Sequence, residues 1–326
     1  MSSSKSDHSR LSYPEKVTQR IIECLQKGTA PWIRPWEAGS IPDRPYNPLS
    51  QTVYRGLNTV YLSVAALMKG YDDPRWMTFL QCNSKGWNVR RGEHAETICY
   101  FSRTATRTEE DPDTHEKVKR TYHLQRPLFR YACVFNACQI EGIEALDRGF
   151  FERKFDPLQK AEEIIHSHNP VIIYDQGNAC FYRPSTDSIH LAPVAQFRSQ
   201  DLYYSTVLHE MGHWSGHSTR LDRNIENLYG TPAYAREELR AEIASYMLSS
   251  DIGISHDPTN HASYIASWIK VLDQDKTEIF KASNDAERIL HFIEGQGRNI
   301  DRSLEDAIES PVRFANDRSH AIEVGV

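Results

Sequence analysis

The sequence has no apolar run approaching the ~18 residues that a membrane-spanning helix needs. Its start, Met1 to Arg10, is polar and serine-rich and lacks the apolar block of a signal peptide. The expectation is a cytoplasmic protein with no membrane partner. Cysteine is sparse as well. Cys24, Cys82, Cys99, Cys133, Cys138 and Cys180 form neither C-x-x-C pairs nor a dense framework, so reduced thiols are expected, with Cys133 and Cys138 packing inside a strand. Internal repeats and long low-complexity tracts are also missing. What remains is 326 residues, 39% hydrophobic and 25% charged, which is the usage of a globular chain long enough for two domains.

The net charge of −6 is unevenly spread. Residues 1–150 hold 21 Lys and Arg against 17 Asp and Glu, and residues 151–326 hold 17 against 27, which is +4 and −10. A polyanion therefore suits the first half. Aromatic rings recur there beside cations and amides: Trp32, Arg34 and Trp36, then Tyr46, Tyr54, Arg55 and Asn58, then Arg75 and Trp76, and finally Lys85, Trp87, Arg90 and Arg91. Single-stranded nucleic acid is held by such interleaving, because bases stack on rings, at ~1–3 kcal/mol each, while cations track the phosphates. The competing reading makes Trp32, Trp36, Trp76 and Trp87 core residues.

Helical spacing of Val17, Ile21, Ile22 and Leu25 predicts a helix over Tyr13 to Lys27, and strands are expected at Thr97–Ser102 and Tyr131–Asn136, making this half α+β. The polar stretch Arg103 to Gln125 has no apolar face to bury and reads as a mobile loop. A boundary falls within Asp147 to Glu152. The expected division is a disordered tail at 1–12, a single-strand-binding domain at 13–149 and a second domain at 150–326.

The strongest chemical signal is His209-Glu210-Met211-Gly212-His213, the H-E-x-x-H pattern of zincins. On a helix the two histidines leave one face and can grip one metal ion, while Glu210 sits beside the open coordination position as a general base. Zinc is favoured by the two imidazoles, with Mn2+ another divalent candidate. A third ligand should lie close by. Leu239, Ile243, Tyr246 and Met247 mark a helix between Pro232 and Gly253, on which Glu238 and Glu242 share one face. That pair resembles the second helix of gluzincins. The resemblance implies Glu238 as ligand and Glu242 as the residue that orients a ligating histidine, with Glu242 the competing ligand. Glu237 reads as part of a solvated charged face.

A helix at Asp156–Ser167 and strands around Val171–Tyr174, Ala179–Tyr182 and Ser188–Leu191 complete this half. The strand ending near Leu191 is expected at a sheet edge, where an extended peptide can pair. Tyr264 and His217 are candidate donors to a tetrahedral oxyanion, and Tyr264 also fits a plain core helix.

Taken together, Tyr54-Arg55-Gly56-x-Asn58, Trp76-x-Thr78-x-x-Gln81, Gly86-x-x-Val89-Arg90-x-Gly92-Glu93, Val134-Phe135-Asn136-x-x-Gln139-x-x-Gly142, the stretch His209 to His217 and the stretch Tyr234 to Glu242 resemble the ArdC-type antirestriction proteins of conjugative plasmids. The resemblance runs in order from about Tyr13 to about Leu290. It implies a single-stranded-DNA-binding domain followed by a zincin-like metallopeptidase domain, protecting incoming DNA from host restriction, with a protein substrate associated with that restriction. The charged insert around Glu109 to Lys119 departs from the pattern. Two functional classes follow: a zinc-dependent metallopeptidase brought to DNA, or a non-catalytic DNA-coating protein whose metal only holds the fold.

Overall fold

The computed structural model describes residues 11–33, 44–110, 117–146, 156–177, 179–225, 228–256 and 263–295. Arg34, Trp36, the expected tail up to Arg10 and the expected boundary at Asp147 to Glu152 lie outside them. The architecture is α+β.

Helix α1 (Tyr13–Gln26) buries Val17, Ile21, Ile22 and Leu25 along one stripe, as its spacing predicts. Ser12, placed in the tail by the sequence reading, is its N-cap. Short strands β1 (Tyr46–Asn47) and β2 (Thr52–Val53) pair with each other and lead to α2 (Leu57–Lys69). Gly56 caps α2 at φ 53° and ψ −129°, a conformation that glycine alone adopts at low cost. Helix α2 is apolar on nearly every side and is buried accordingly.

Strand β3 (Trp76–Thr78) is followed by α3 (Phe79–Ser84) and by β4 (Asn88–Val89). The long strands β5 (Glu96–Glu110) and β6 (Lys117–Asn136) form an antiparallel hairpin, and β3 lies on the other side of β6. Strand β7 (Ile140–Glu141) pairs with β4. The two strands read from the sequence lie inside this hairpin, but the expectation of a loop from Arg103 to Gln125 fails. After an irregularity at Ser102 to Thr104 the ladder resumes at Thr104↔His123 and runs to Glu110↔Lys117. A polar segment needs no apolar face to be a strand when a partner strand takes up its N–H and C=O groups, and β-branched Thr104, Thr106 and Thr108 favour extension.

In the second half α4 (Pro157–His168) starts at Asp156, whose carboxylate accepts the Leu158 N–H at 2.8 Å. Strands β8 (Val171–Ile173), β9 (Phe181–Arg183) and β10 (Ser188–His190) form a sheet in the order β8-β10-β9. Strand β10 is therefore central, parallel to β8 and antiparallel to β9, which corrects the expectation that the strand ending near Leu191 is an edge. Both of its sides are already paired. Helices α5 (Gln200–Trp214), α6 (Pro232–Ile252), α7 (Ile265–Gln274) and α8 (Glu278–Ile293) complete the fold.

One apolar core runs through both halves. Val17, Ile21, Trp32 and Leu62 belong to the same cluster as Leu239, Met247, Trp268, Ile279 and Leu290. Helix α1 packs on α7, α2 on α8, and the turn Pro31–Ile33 on α6. Polar ties reinforce the seam. The Thr18 hydroxyl donates to the Lys276 carbonyl at 2.7 Å, and buried Arg44 reaches Asp251 at 3.1 Å and Glu287 at 2.7 Å.

Glu287 is the hub of that seam, accepting also from the Gly56 N–H at 3.0 Å and lying 3.2 Å from His291. Burial pushes its carboxyl up, but His291, Arg44 and the Gly56 N–H more than reverse this and hold it at about 2. A carboxyl whose folded value lies below the unfolded ~4.3 adds stability that is complete above about pH 5 and is lost as pH falls towards 2, here about 3 kcal/mol. Glu287→Gln should remove about that much at pH 7 and flatten the acid limb of the stability profile. Urea unfolding from pH 7 to pH 2 checks it, and parallel profiles for the two proteins would count against this role.

Candidate metal centre

Helix α5 is capped by Ser199, whose hydroxyl accepts the Leu202 N–H at 3.2 Å, and it enters the core with Val207, Leu208 and Met211. This places His209 and His213 one turn apart on one face, with ring centroids 5.0 Å from each other. Helix α6 is capped by Thr231 and crosses α5 where Gly212 meets Ala241. The crossing brings Glu238 up against both imidazoles. Its Oε2 lies 3.8 Å from His209 Nε2 and its Oε1 lies 3.5 Å from His213 Nε2. One ligand atom from each of the three residues lies within 4.8 Å of the others, a grouping tight enough for one ion.

The outer ring nitrogens also face carboxylates. His209 Nδ1 is 3.3 Å from Glu242 Oε2, and His213 Nδ1 is 3.4 Å from Glu237 Oε1. A carboxylate thus stands behind each ring, and Nε2 is the nitrogen that faces Glu238. Glu242 is only 1% exposed, and its other oxygen is 3.4 Å from His256 Nε2, which donates to the Trp32 carbonyl at 3.0 Å. The support of His209 thus ends on the backbone of the first half. Glu237, expected on a solvated face, is buried and paired with Arg223 at 2.7 Å. Sequence reading missed it because Arg223 sits in a loop without periodicity.

Burial alone would push His213 down, but Glu238, Glu237 and Glu210 together draw it well above its ordinary value. The pocket attracts positive charge. Two imidazoles and a carboxylate, all desolvated, suit a divalent cation of the zinc or manganese type. Glu210 is buried alongside, and burial and then its charge raise the nearby Cys180 thiol.

Of the two candidate oxyanion donors, Tyr264 stays by the site. Burial first, and then the Glu238 charge, push its hydroxyl up to about 12, and it lies 3.2 Å from the Tyr234 hydroxyl. Tyr234 was not singled out from the sequence. Burial and Glu238 push it far above the usual tyrosine range, so it stays a neutral donor. His217 is engaged elsewhere: its Nδ1 bonds the Thr219 hydroxyl at 2.9 Å, and its charged neighbour is Asp187. A separate cluster has the order of a hydrolase relay, with Asp175 2.9 Å from His190 Nδ1 and Ser188 Oγ 3.0 Å from His190 Nε2. Ser188 is sealed inside the sheet, so no substrate reaches it.

The residues expected to bind DNA separate into two groups. Trp32 and Trp76 are fully buried and offer no face to a base. Tyr54 donates to the Trp76 carbonyl at 3.0 Å, the Asn58 amide bonds the Cys99 backbone on both sides, and Arg75 is clamped by Asp73. Tyr46 is partly buried in β1, and Trp87 packs on a small second cluster around Met77 and Cys82. These residues build the fold. Arg55, Lys85, Arg90 and Arg91 are exposed. So are Phe79 at 46% and Leu80 at 78% on α3, which no periodicity could reveal in so short a helix.

Fold and site together define a zincin-like metallopeptidase fold joined to an antirestriction N-terminal domain. The family described as a zincin-like metallopeptidase matches residues 159–285, and the one described as the N-terminal domain of anti-restriction factor ArdC matches residues 12–135. The crystal structure of the antirestriction ArdC protein from plasmid R388 superposes with a TM-score of 0.68 for its metal-free form, at 32% identity over 88% of this chain and 100% of that one. Its Mn(II)-bound form gives 0.69 at 31% identity, over 89% and 100%. The chain belongs to the ArdC family of antirestriction proteins. An uncharacterised protein of Sinorhizobium fredii is 32% identical over 89% of this chain and 94% of its own length. Two DNA primases TraC of Escherichia coli are 45% and 40% identical over 86% of this chain, which spans only 27% and 20% of their lengths.

The geometry leads to a direct expectation. Glu238→Ala should abolish binding of one divalent ion per chain, whereas Glu242→Ala should weaken it by about 10–100-fold. Metal analysis after gel filtration reads both variants. Full occupancy in Glu238→Ala with none in Glu242→Ala would exchange their roles.

Proposed function

We propose that this chain protects incoming plasmid DNA from host restriction by binding single strands through its first half and hydrolysing peptide bonds at a divalent metal held by His209, His213 and Glu238. The observation that carries the reading is Glu210. It is a carboxylate buried beside the three candidate ligands, and nothing in a purely structural metal site requires an acid there. Membership of the ArdC family and the Mn(II)-bound R388 relative support the metal, and zinc is the ion the two imidazoles favour.

When bound, the metal supplies Lewis-acid activation of water and of the substrate carbonyl. Glu210 accepts the proton of the attacking water and later returns it to the leaving amine. Tyr234 and Tyr264, kept neutral by burial and Glu238, are placed to donate to the developing oxyanion. Strand β9 is an edge packed on α5, and it offers backbone groups to an extended peptide. DNA is assigned to the exposed Arg55, Lys85, Arg90 and Arg91 with Phe79 and Leu80, all of them in the basic first half of the sequence.

One observation favours the second reading, a coating protein with a structural metal. The link from His209 through Glu242 and His256 ends on Trp32, so a bound ion also braces the first half. The two readings part at Glu210→Gln. Purified protein incubated with metal, single-stranded DNA and a restriction endonuclease should cleave the endonuclease, and Glu210→Gln should bind metal and DNA without cleaving. Equal cleavage by Glu210→Gln, or none by the wild type, rejects the peptidase.

The DNA assignment has its own test. Replacing Arg55, Lys85, Arg90 and Arg91 by alanine in the full chain should lower the slope of log affinity against log salt for single strands by about 3, since each phosphate contact contributes about 0.7. Fluorescence anisotropy across a salt series measures it. An unchanged slope would place the DNA elsewhere.

A further inference from the structure

The groups behind His213 form a closed set. Its Nδ1 lies 3.4 Å from Glu237 Oε1. Arg223 grips both oxygens of that carboxylate, at 2.7 Å from Nη2 and 3.3 Å from Nε. The same guanidinium donates to the Gly212 carbonyl at 2.7 Å and to the Ser215 hydroxyl at 2.9 Å, so it also closes the C-terminal end of α5. Arg223 and Glu237 side chains are each only 8% exposed. Gly216 is tight against them, since a Cβ there would come within 2.9 Å of Arg223 Nη2.

This is a second support, separate from the Glu242 and His256 pair behind His209. Its chemistry answers a particular problem. Glu210, Glu237, Glu238 and Glu242 are all buried around two imidazoles, more negative charge than one divalent ion can offset. A carboxylate is a strong acceptor for an imidazole N–H, but an unpaired one would compete with Glu238 for the ion. Binding both Glu237 oxygens to a guanidinium removes that competition and fixes the carboxylate in place.

We propose that Glu237, held by Arg223, is a positioning residue for His213: it accepts the hydrogen bond from Nδ1–H and so aims the Nε2 lone pair at the metal position. The inference rests on the metal reading above and concerns this support alone. Without Glu237 the His213 ring is released about its side-chain torsions, and the loss should appear in metal affinity, while the DNA surface is untouched.

The experiment uses the full chain and Zn2+ or Mn2+ alone as the probe, with affinity read by competition against a chromophoric chelator. Glu237→Ala should bind the metal about 10–100-fold more weakly than wild type. Glu237→Gln keeps an amide oxygen for Nδ1 but loses the hold on Arg223, and should fall in between. Single-stranded DNA affinity should be unchanged in both variants, and the downfield His213 Nδ1 proton of the metal-loaded wild type should broaden or vanish in Glu237→Ala. If Glu237→Ala does not fold, Glu237→Gln decides alone. Wild-type affinity in the folded variants overturns the inference, whereas failure of the wild type itself to bind either ion overturns the metal reading beneath it.

Discussion

Desolvating a carboxylate costs several kcal/mol unless a cation or well-aimed donors replace the lost water, and this chain buries Glu210, Glu237, Glu238 and Glu242 on two crossing helices. Among the described residues the imidazoles of His209, His213 and His256 and the Arg223 guanidinium stand against them within reach. The arrangement makes physical sense around a divalent ion. Arg223 neutralises Glu237, Glu237 and Glu242 stand behind the outer ring nitrogens of the two histidines, and both Nε2 atoms converge with Glu238 on one point. What remains is Glu210, the buried carboxylate to which the proposed reaction gives the proton transfer.

The same constraint joins the two halves. A site this buried needs rigid walls, and those behind His209 include His256 and the Trp32 carbonyl. The core is continuous from α1 to α8, and Arg44 is neutralised only by Asp251 and Glu287 across the seam among its described partners. The first half is therefore part of the scaffold of the candidate metal centre. Cutting the chain near its midpoint would bare Trp32, Leu62 and the apolar faces of α6 and α8, so functions are better separated by point substitutions than by truncation.

The parts of this plan that were legible in the sequence are those encoded within one helix. The i, i+4 spacing of His209 and His213 and of Glu238 and Glu242 sets positions that neighbours along the chain determine. What was not legible depends on partners distant in sequence. Glu237 adjoins Glu238 and looks equally solvated until Arg223 folds back onto it. Trp32 and Trp76 sit beside cations as stacking residues would, and only the packing of the Pro31–Ile33 turn on α6 and of β3 on β6 shows that they are core. Strand order is not sequence order, so β10 became the centre of its sheet. The polar arms of the β5–β6 hairpin carried no apolar stripe, and their order comes from each other's backbone.

The central claim, that the buried carboxylates are built around a cation, is tested most directly by thermal unfolding of the full chain in chelator and in excess Zn2+ or Mn2+. A ligand at 100 to 1,000 times its Kd adds about 3–4 kcal/mol to the folded state. The account predicts one transition, because the core is shared, moving upward as a whole by several degrees with either ion. A transition that does not move, or one that splits so that only part of the chain responds, would contradict it.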